Sequence, residues 1–336
     1  MNNDFLHFLS KQFNFDKIIS LTSITKGYSS QNFQITTDDG NKYFLKKYDH
    51  EIKDFDFIEY AEGFFFHGGF PVIQPRISKT GPKYVKYKRC MYSVYPFIDA
   101  QFVPSRHLTD QHAFNLGCFL AKMHKYSEDN RKSYLPYVKK FKPPRLADKN
   151  DILRIYYNVL RSLEKRSKRD ELDDSVYSLL QQKVEYIKKN HKPCKLDLEN
   201  EKEVLLHGDF NNENVFFDTS ANIIDIFDFD RVFVGYALYE LISSLIIIFF
   251  DNFEEQNFNR ASKFLEGYKL IKHINRQSFK CTIQYYINEL FYTSLFEEEK
   301  YLRKSDRFDN IYKHYLSTLK YFLQKNNFAE IICNYA

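Results

Sequence analysis

The residues best suited to chemistry lie in His207-Gly208-Asp209-Phe210-Asn211-Asn212-Glu213-Asn214 and, further on, Phe227-Asp228-Phe229-Asp230. Asp209 precedes Asn214 by five positions, and Asp228 closes an apolar run. A carboxylate that orients and deprotonates a hydroxyl, with two oxygen ligands for magnesium, is what phosphoryl transfer requires. Magnesium keeps several waters, so one carboxylate, one amide oxygen and the nucleotide phosphates suffice to hold it. His207 reads as a residue that fixes the loop, and Asp230 and Arg231 as solvated or loop-holding. Asp225 competes with Asp228 for the metal role, but Asp228 ends the strand and is preferred.

These residues need short strands to aim them. Val204-Leu205-Leu206 reads as a strand end, Val215-Phe216-Phe217 as a second strand, and Ile223 to Phe227 as a third, with turn composition between the last two. Earlier, Asp4 to Phe13 reads as a short helix. Ile24 to Tyr48 reads as strand, loop, strand, turn, strand, with Asp39-Gly40 as the hairpin signal. Phe55 to Phe66 has helical spacing and carries Glu59 and Glu62. Met91 to Ile98 is an extended apolar run, and His112 to His124 reads as a helix carrying Leu116-Gly117 and Leu120-Ala121.

The motif resembles the catalytic loop of the family that contains the aminoglycoside phosphotransferases, choline kinase and the second type of homoserine kinase. That family's pattern is His-Gly-Asp, four variable residues and Asn, then a hydrophobic strand ending in Asp-Phe-Asp or a close variant. The resemblance implies an α+β, bilobal, protein-kinase-like fold. It implies a small β-rich N-lobe over 1–94, a hinge over 95–99 and a larger, mainly helical C-lobe over 100–336. It makes Asp209 the catalytic base and Asn214 and Asp228 the magnesium ligands. Lys46 is placed on the α- and β-phosphates of ATP or GTP, with Lys47 as the alternative on the other strand face. Glu59, ahead of Glu62, is expected to pair with Lys46. Gly27, Ser29 and Ser30 form the phosphate loop, although it is poorer in glycine than the family pattern. Backbone groups near Tyr95 and Phe97 read the adenine edge. His124 is structural.

Composition sets the bounds. The chain has 336 residues, enough for two lobes, and its 43% hydrophobic content with 34 Phe and 26 Tyr supports a real core. A formal net charge of +5, dispersed along the chain, does not argue for nucleic acid. Five cysteines without paired spacing read as free thiols of a cytoplasmic protein. The longest apolar run, Leu241 to Phe250, is too short to span a bilayer and reads as a buried helix.

Eleven residues separate Asp228 from Glu240, which leaves no room for the long activation segment of a peptide kinase. Gly235 and Glu240 match the family's anchors for this return. A small hydroxylated metabolite is therefore the expected acceptor: an amino alcohol, homoserine-like compound, sugar or aminoglycoside. The positive charge argues against the polycationic aminoglycosides, with Glu297-Glu298-Glu299 as the one acidic run that could oppose this. The alternative is a nucleotide-binding protein of the same fold with a regulatory or structural role and little turnover.

Overall fold

The structure is a computed structural model and describes residues 3–24, 31–48, 55–98, 102–137, 148–189, 201–250, 257–306, 309–324 and 327–336. The chain begins with α1 (Asn3–Phe13), β1 (Ile18–Ile24), β2 (Gln31–Thr37), β3 (Lys42–Tyr48), α2 (Phe55–His67), β4 (Val85–Tyr87) and β5 (Cys90–Pro96). Helices α3 (Asp110–Asp129), α4 (Arg131–Tyr134), α5 (Lys149–Glu164) and α6 (Glu171–Lys189) follow. Next come β6 (Glu203–Leu206), β7 (Val215–Phe217), β8 (Ile223–Ile226) and β9 (Phe233–Tyr236). The chain closes with α7 (Ala237–Phe250), α8 (Asn257–Lys269), α9 (Arg276–Tyr292), α10 (Leu295–Glu297), a π-helical turn (Glu298–Leu302), α11 (Asp309–Gln324) and α12 (Phe328–Cys333).

These elements form two compact units, one of residues 1–103 with 213–232, the other of 104–212 with 233–336. The first holds an antiparallel five-stranded sheet in the order β1-β2-β3-β5-β4. The expected hairpin joins β2 to β3, with Thr36 opposite Lys42 and Gly40 at φ +83°. Glycine pays nothing for that left-handed turn. Helix α1 presents Phe5, Leu9 and Phe13 to Ile35, Leu45, Val85, Tyr92 and Val94, which makes the core of this unit.

The β7–β8 hairpin also belongs to the first unit, with Val215 opposite Ile226. Its turn is built by Asp218, whose Oδ1 accepts the N–H groups of Ser220 and Asn222 at 2.8 Å each. Ile226 meets Val72 in a parallel bridge: Ile73 N–H donates to Ile226 O at 3.0 Å, and Ile226 N–H to Pro71 O at 2.8 Å.

The second unit is mainly helical. Helices α3 and α8 pack backbone to backbone through two glycines. A Cβ on Gly117 would lie 1.9 Å from Phe264 O, and one on Gly267 would lie 2.1 Å from Phe114 O. Apolar on nearly all sides, α7 is buried along its length, as its sequence implies. No helix among the described residues is long and apolar enough to cross a membrane.

Candidate active site

The Asp209 loop leaves β6 and is held from inside the second unit. Glu240, at the start of α7, accepts the N–H of His207 at 3.3 Å and the N–H of Gly208. The same carboxylate meets His124 Nε2 at 2.8 Å, and His124 Nδ1 meets Tyr268 OH at 2.8 Å. His124 thus ties α3, α7 and α8 together beneath the loop. Gly208 takes φ +85°, a turn that glycine makes without strain. Asp209 N–H donates to His207 Nδ1 at 3.2 Å, and Asn211 Nδ2 donates to Asp209 Oδ1 at 3.2 Å. His207 is fully buried and fixes the loop from within.

The Asn214 and Asp228 segment lies in the first unit. Phe227 N–H donates to Asn214 O at 3.1 Å, which extends the β7–β8 pairing by one step and sets Asn214 beside the strand end that Asp228 terminates. Asp225 sits within β8, opposite Phe216 and partly exposed; burial raises its pKa. Asp228 adopts φ 70° and ψ 59° and begins a short 3₁₀ turn, Phe229–Arg231. Phe229 is buried and packs on Phe65 of α2, with ring centroids 5.8 Å apart.

Lys46 on β3 is buried, with its Nζ 2.7 Å from Asp228 Oδ1 and 2.7 Å from Asp230 Oδ2. It also lies over the Tyr48 ring at 5.1 Å. Burial alone would lower the lysine pKa. The Asp228 charge, with help from Tyr48 and Asp230, more than reverses this and leaves it well above the ordinary value. Burial pushes Asp230 up to about 6, against the pull of Lys46. Lys47, its neighbour on the strand, is more exposed than Lys46.

The helix carboxylate expected at Lys46 is displaced by these two aspartates. Glu59 instead accepts Lys83 N–H at 3.4 Å. Glu62 is buried, accepts Tyr95 OH at 3.2 Å, and is pushed by burial up to about 8. Tyr95 lies in β5 opposite Phe44, buried, with the two ring centroids 6.3 Å apart. Phe97 follows the strand and meets Lys42 Nζ at 5.9 Å. Gly27, Ser29 and Ser30 lie outside the described residues.

Asp230, which reads from the sequence as solvated or loop-holding, is a direct partner of Lys46. The only signal available for it was the repeated aspartate of Asp228-Phe229-Asp230. Glu297 of the acidic run is buried and faces Lys183 Nζ at 3.0 Å, so its charge is spent inside the fold.

Residues 20–270 match the family model described as the Phosphotransferase enzyme family, APH. The chain belongs to that family; it is a small-molecule phosphotransferase with the kinase-like fold. No curated protein matches it. Among solved structures it is similar to spectinomycin phosphotransferase APH(9)-Ia in complex with ADP and spectinomycin. That likeness has a TM-score of 0.66 at 17% identity and covers 100% of this chain and 99% of the other. It is also similar to amicoumacin kinase hAmiN in complex with AMP-PNP, Ca2+ and Ami, with a TM-score of 0.64 at 15% identity, over 96% and 94% of the two chains. A Plasmodium vivax ethanolamine kinase matches with a TM-score of 0.53 at 16% identity, over 90% and 81%.

Proposed function

We propose that the protein transfers the γ-phosphoryl group of ATP or GTP to a hydroxyl of a small metabolite, with magnesium as cofactor. The observation that carries this reading is the pairing of buried Lys46 with both Asp228 and Asp230, beside Asn214. A lysine and hard oxygen donors held together suit a phosphate and a magnesium ion. Asp228 and Asn214 would hold the metal, whose chemistry when bound is to draw charge from the phosphate oxygens. Lys46 binds the α- and β-phosphates. Gly27, Ser29 and Ser30 cover them, and the backbone near Tyr95 and Phe97 takes the base. The domain reading puts the N-lobe at 1–94, the hinge at 95–99 and the C-lobe at 100–336.

Asp209 is the proposed base. Its carboxylate is oriented by Asn211 and its backbone by His207, so little reorganisation is needed when an acceptor hydroxyl arrives. The proton leaves the hydroxyl oxygen for Asp209 as that oxygen attacks the γ-phosphorus, and the nucleoside diphosphate departs. Acceptors in view are amino alcohols, homoserine-like compounds, sugars and aminoglycosides. The four described cysteines are free thiols, in keeping with a cytoplasmic setting.

The test is ADP or GDP release with ATP and GTP against a panel of those acceptors. Once an acceptor is found, Asp209→Asn should keep nucleotide affinity within a few-fold while turnover drops by roughly two orders of magnitude or more. Near-normal turnover in that variant would remove Asp209 from the reaction.

A further inference from the structure

Buried carboxylates of the helical unit are matched by basic groups. Glu297 has Lys183 at 3.0 Å, Asp173 has Arg166 at 2.7 Å, and Glu240 has His124 at 2.8 Å together with two backbone N–H groups. Glu289, on α9, breaks this pattern. It is partly buried, and among the described residues its carboxylate accepts Tyr239 OH alone, at 2.8 Å to Oε2. Among the described residues no lysine, arginine or histidine lies within ion-pair range of it. Burial raises its pKa, with the Tyr239 hydroxyl the opposing influence.

Tyr239, the partner of Glu289, stands in an aromatic cluster. The Tyr239 ring lies 5.8 Å from the Tyr286 ring and 6.4 Å from the Phe233 ring. Gly235 makes room for Phe233, since a Cβ there would come within 2.5 Å of its ring. Two links tie this cluster to the Asp209 loop inside the same unit. Phe233 is the strand partner of Leu206, three residues before Asp209. Tyr239 also directly precedes Glu240, whose carboxylate holds the N–H groups of His207 and Gly208.

A carboxylate withdrawn from water with no cation beside it is costly, and a ligand that brings one recovers that cost. Aromatic faces around a carboxylate favour an ammonium group twice over, by charge and by ring quadrupole. We infer that Glu289, Tyr239, Tyr286 and Phe233 bind the single ammonium group of a hydroxylated amine, whose hydroxyl is then presented to Asp209. One carboxylate matches one positive charge, so a compact monoamine fits better than a polycation or a neutral sugar. This rests on the reading of the chain as a small-molecule kinase and narrows its acceptor.

The experiment compares 3-aminopropanol with 1,3-propanediol, which match in length and differ in charge. Steady-state kinetics with Mg-ATP are run on the wild type, Glu289→Gln and Glu289→Asp, with calorimetric titration of each alcohol alongside. The wild type should favour the amine, and Glu289→Gln should reduce that preference about ten- to hundredfold, chiefly through KM. Glu289→Asp keeps the charge and should restore part of the preference. The thermal midpoint of Glu289→Gln should match or exceed the wild type, because an uncompensated charge has been removed. Equal use of both alcohols, or an amine KM indifferent to Glu289→Gln, overturns the inference and leaves the kinase reading standing. If no acceptor of any charge is phosphorylated, the kinase reading fails instead. The calorimetry then decides the site: amine binding lost in Glu289→Gln supports it, and no amine binding in the wild type overturns it.

Discussion

Asp228 holds a left-handed backbone conformation, φ 70°, at the point where β8 gives way to a 3₁₀ turn. Such a residue costs roughly 1–2 kcal/mol unless it is glycine, or asparagine or aspartate with local hydrogen bonding. The turn lets Asp228 and Asp230 both reach Lys46 Nζ, each at 2.7 Å, while Phe229 between them packs inward. Asp225 stands before the turn, inside the β8 pairing with Phe216. Asp228→Ala should therefore abolish magnesium-dependent nucleotide binding in calorimetric titration with Mg-ATP, and Asp225→Ala should leave it nearly intact. A reversed pattern would move the metal ligand to Asp225. The motif residues were legible because their types and spacing are local. The choice of partner for Lys46 was not, because Lys46 and Asp228 lie 182 positions apart and only the fold decides which carboxylate arrives. Glu289 was unreadable for the same reason, since an isolated glutamate in a helix looks solvated until its neighbours are known.

At the scale of elements, α2 contributes a carboxyl group that should be neutral near pH 7. Burial raises Glu62 to about 8, with Lys83, Tyr95 and Lys46 pulling the other way. Below the ordinary value of 4.5 the group is protonated in both folded and unfolded chains and costs nothing. As pH rises from about 4.5 to about 8 the unfolded chain ionises first, so the folded state loses stability across that window. Glu62→Gln still accepts the Tyr95 hydroxyl and does not titrate. Its advantage over the wild type in thermal unfolding should be near zero at about pH 4 and grow to roughly 1–3 kcal/mol by about pH 8. Parallel stability curves would show that Glu62 ionises freely in the folded protein. The glycines of α3 and α8 make a second element-scale prediction. Gly117→Ala would force a Cβ to 1.9 Å from Phe264 O and should cost at least roughly 1–3 kcal/mol in urea unfolding. Gly63→Ala on α2, where the nearest atom would be His67 Nδ1 at 3.9 Å, should instead gain up to about 1 kcal/mol. Equal effects at both positions would mean that α3 and α8 can part. Strands and helices with a clear period were legible, among them α1, the β2–β3 hairpin and buried α7. The family resemblance pointed to a small residue of α3 at a helix contact without choosing between Gly117 and Ala121, and the reciprocal Gly267 carried no signal within the otherwise polar α8.

For the whole molecule, the division into units does not follow chain order, because residues 213–232 belong with 1–103. That segment gives the first unit three things. It supplies the Val72–Ile226 bridge with its two flanking backbone hydrogen bonds, the Phe229 ring against Phe65, and both carboxylates on Lys46. A fragment of residues 1–103 would keep the five-stranded sheet and its α1 core yet leave Lys46 without its two carboxylates. Breaking a buried ion pair costs roughly 3–5 kcal/mol, against a total stability of roughly 5–15 kcal/mol for a domain. The fragment should therefore show no cooperative urea transition, or one at much lower urea than a version with residues 213–232 fused through a Gly-Ser linker. Lys46→Met in the short fragment should recover part of the difference, because it removes the stranded charge and keeps the side-chain volume. The same substitution in the fused version should recover nothing, since Asp228 and Asp230 would then be left without their cation. Far-UV circular dichroism during urea titration of the four proteins checks this. If the short and fused fragments unfold at the same urea concentration, residues 213–232 contribute nothing to that unit's stability, and the ion pairs on Lys46 are incidental to its folding.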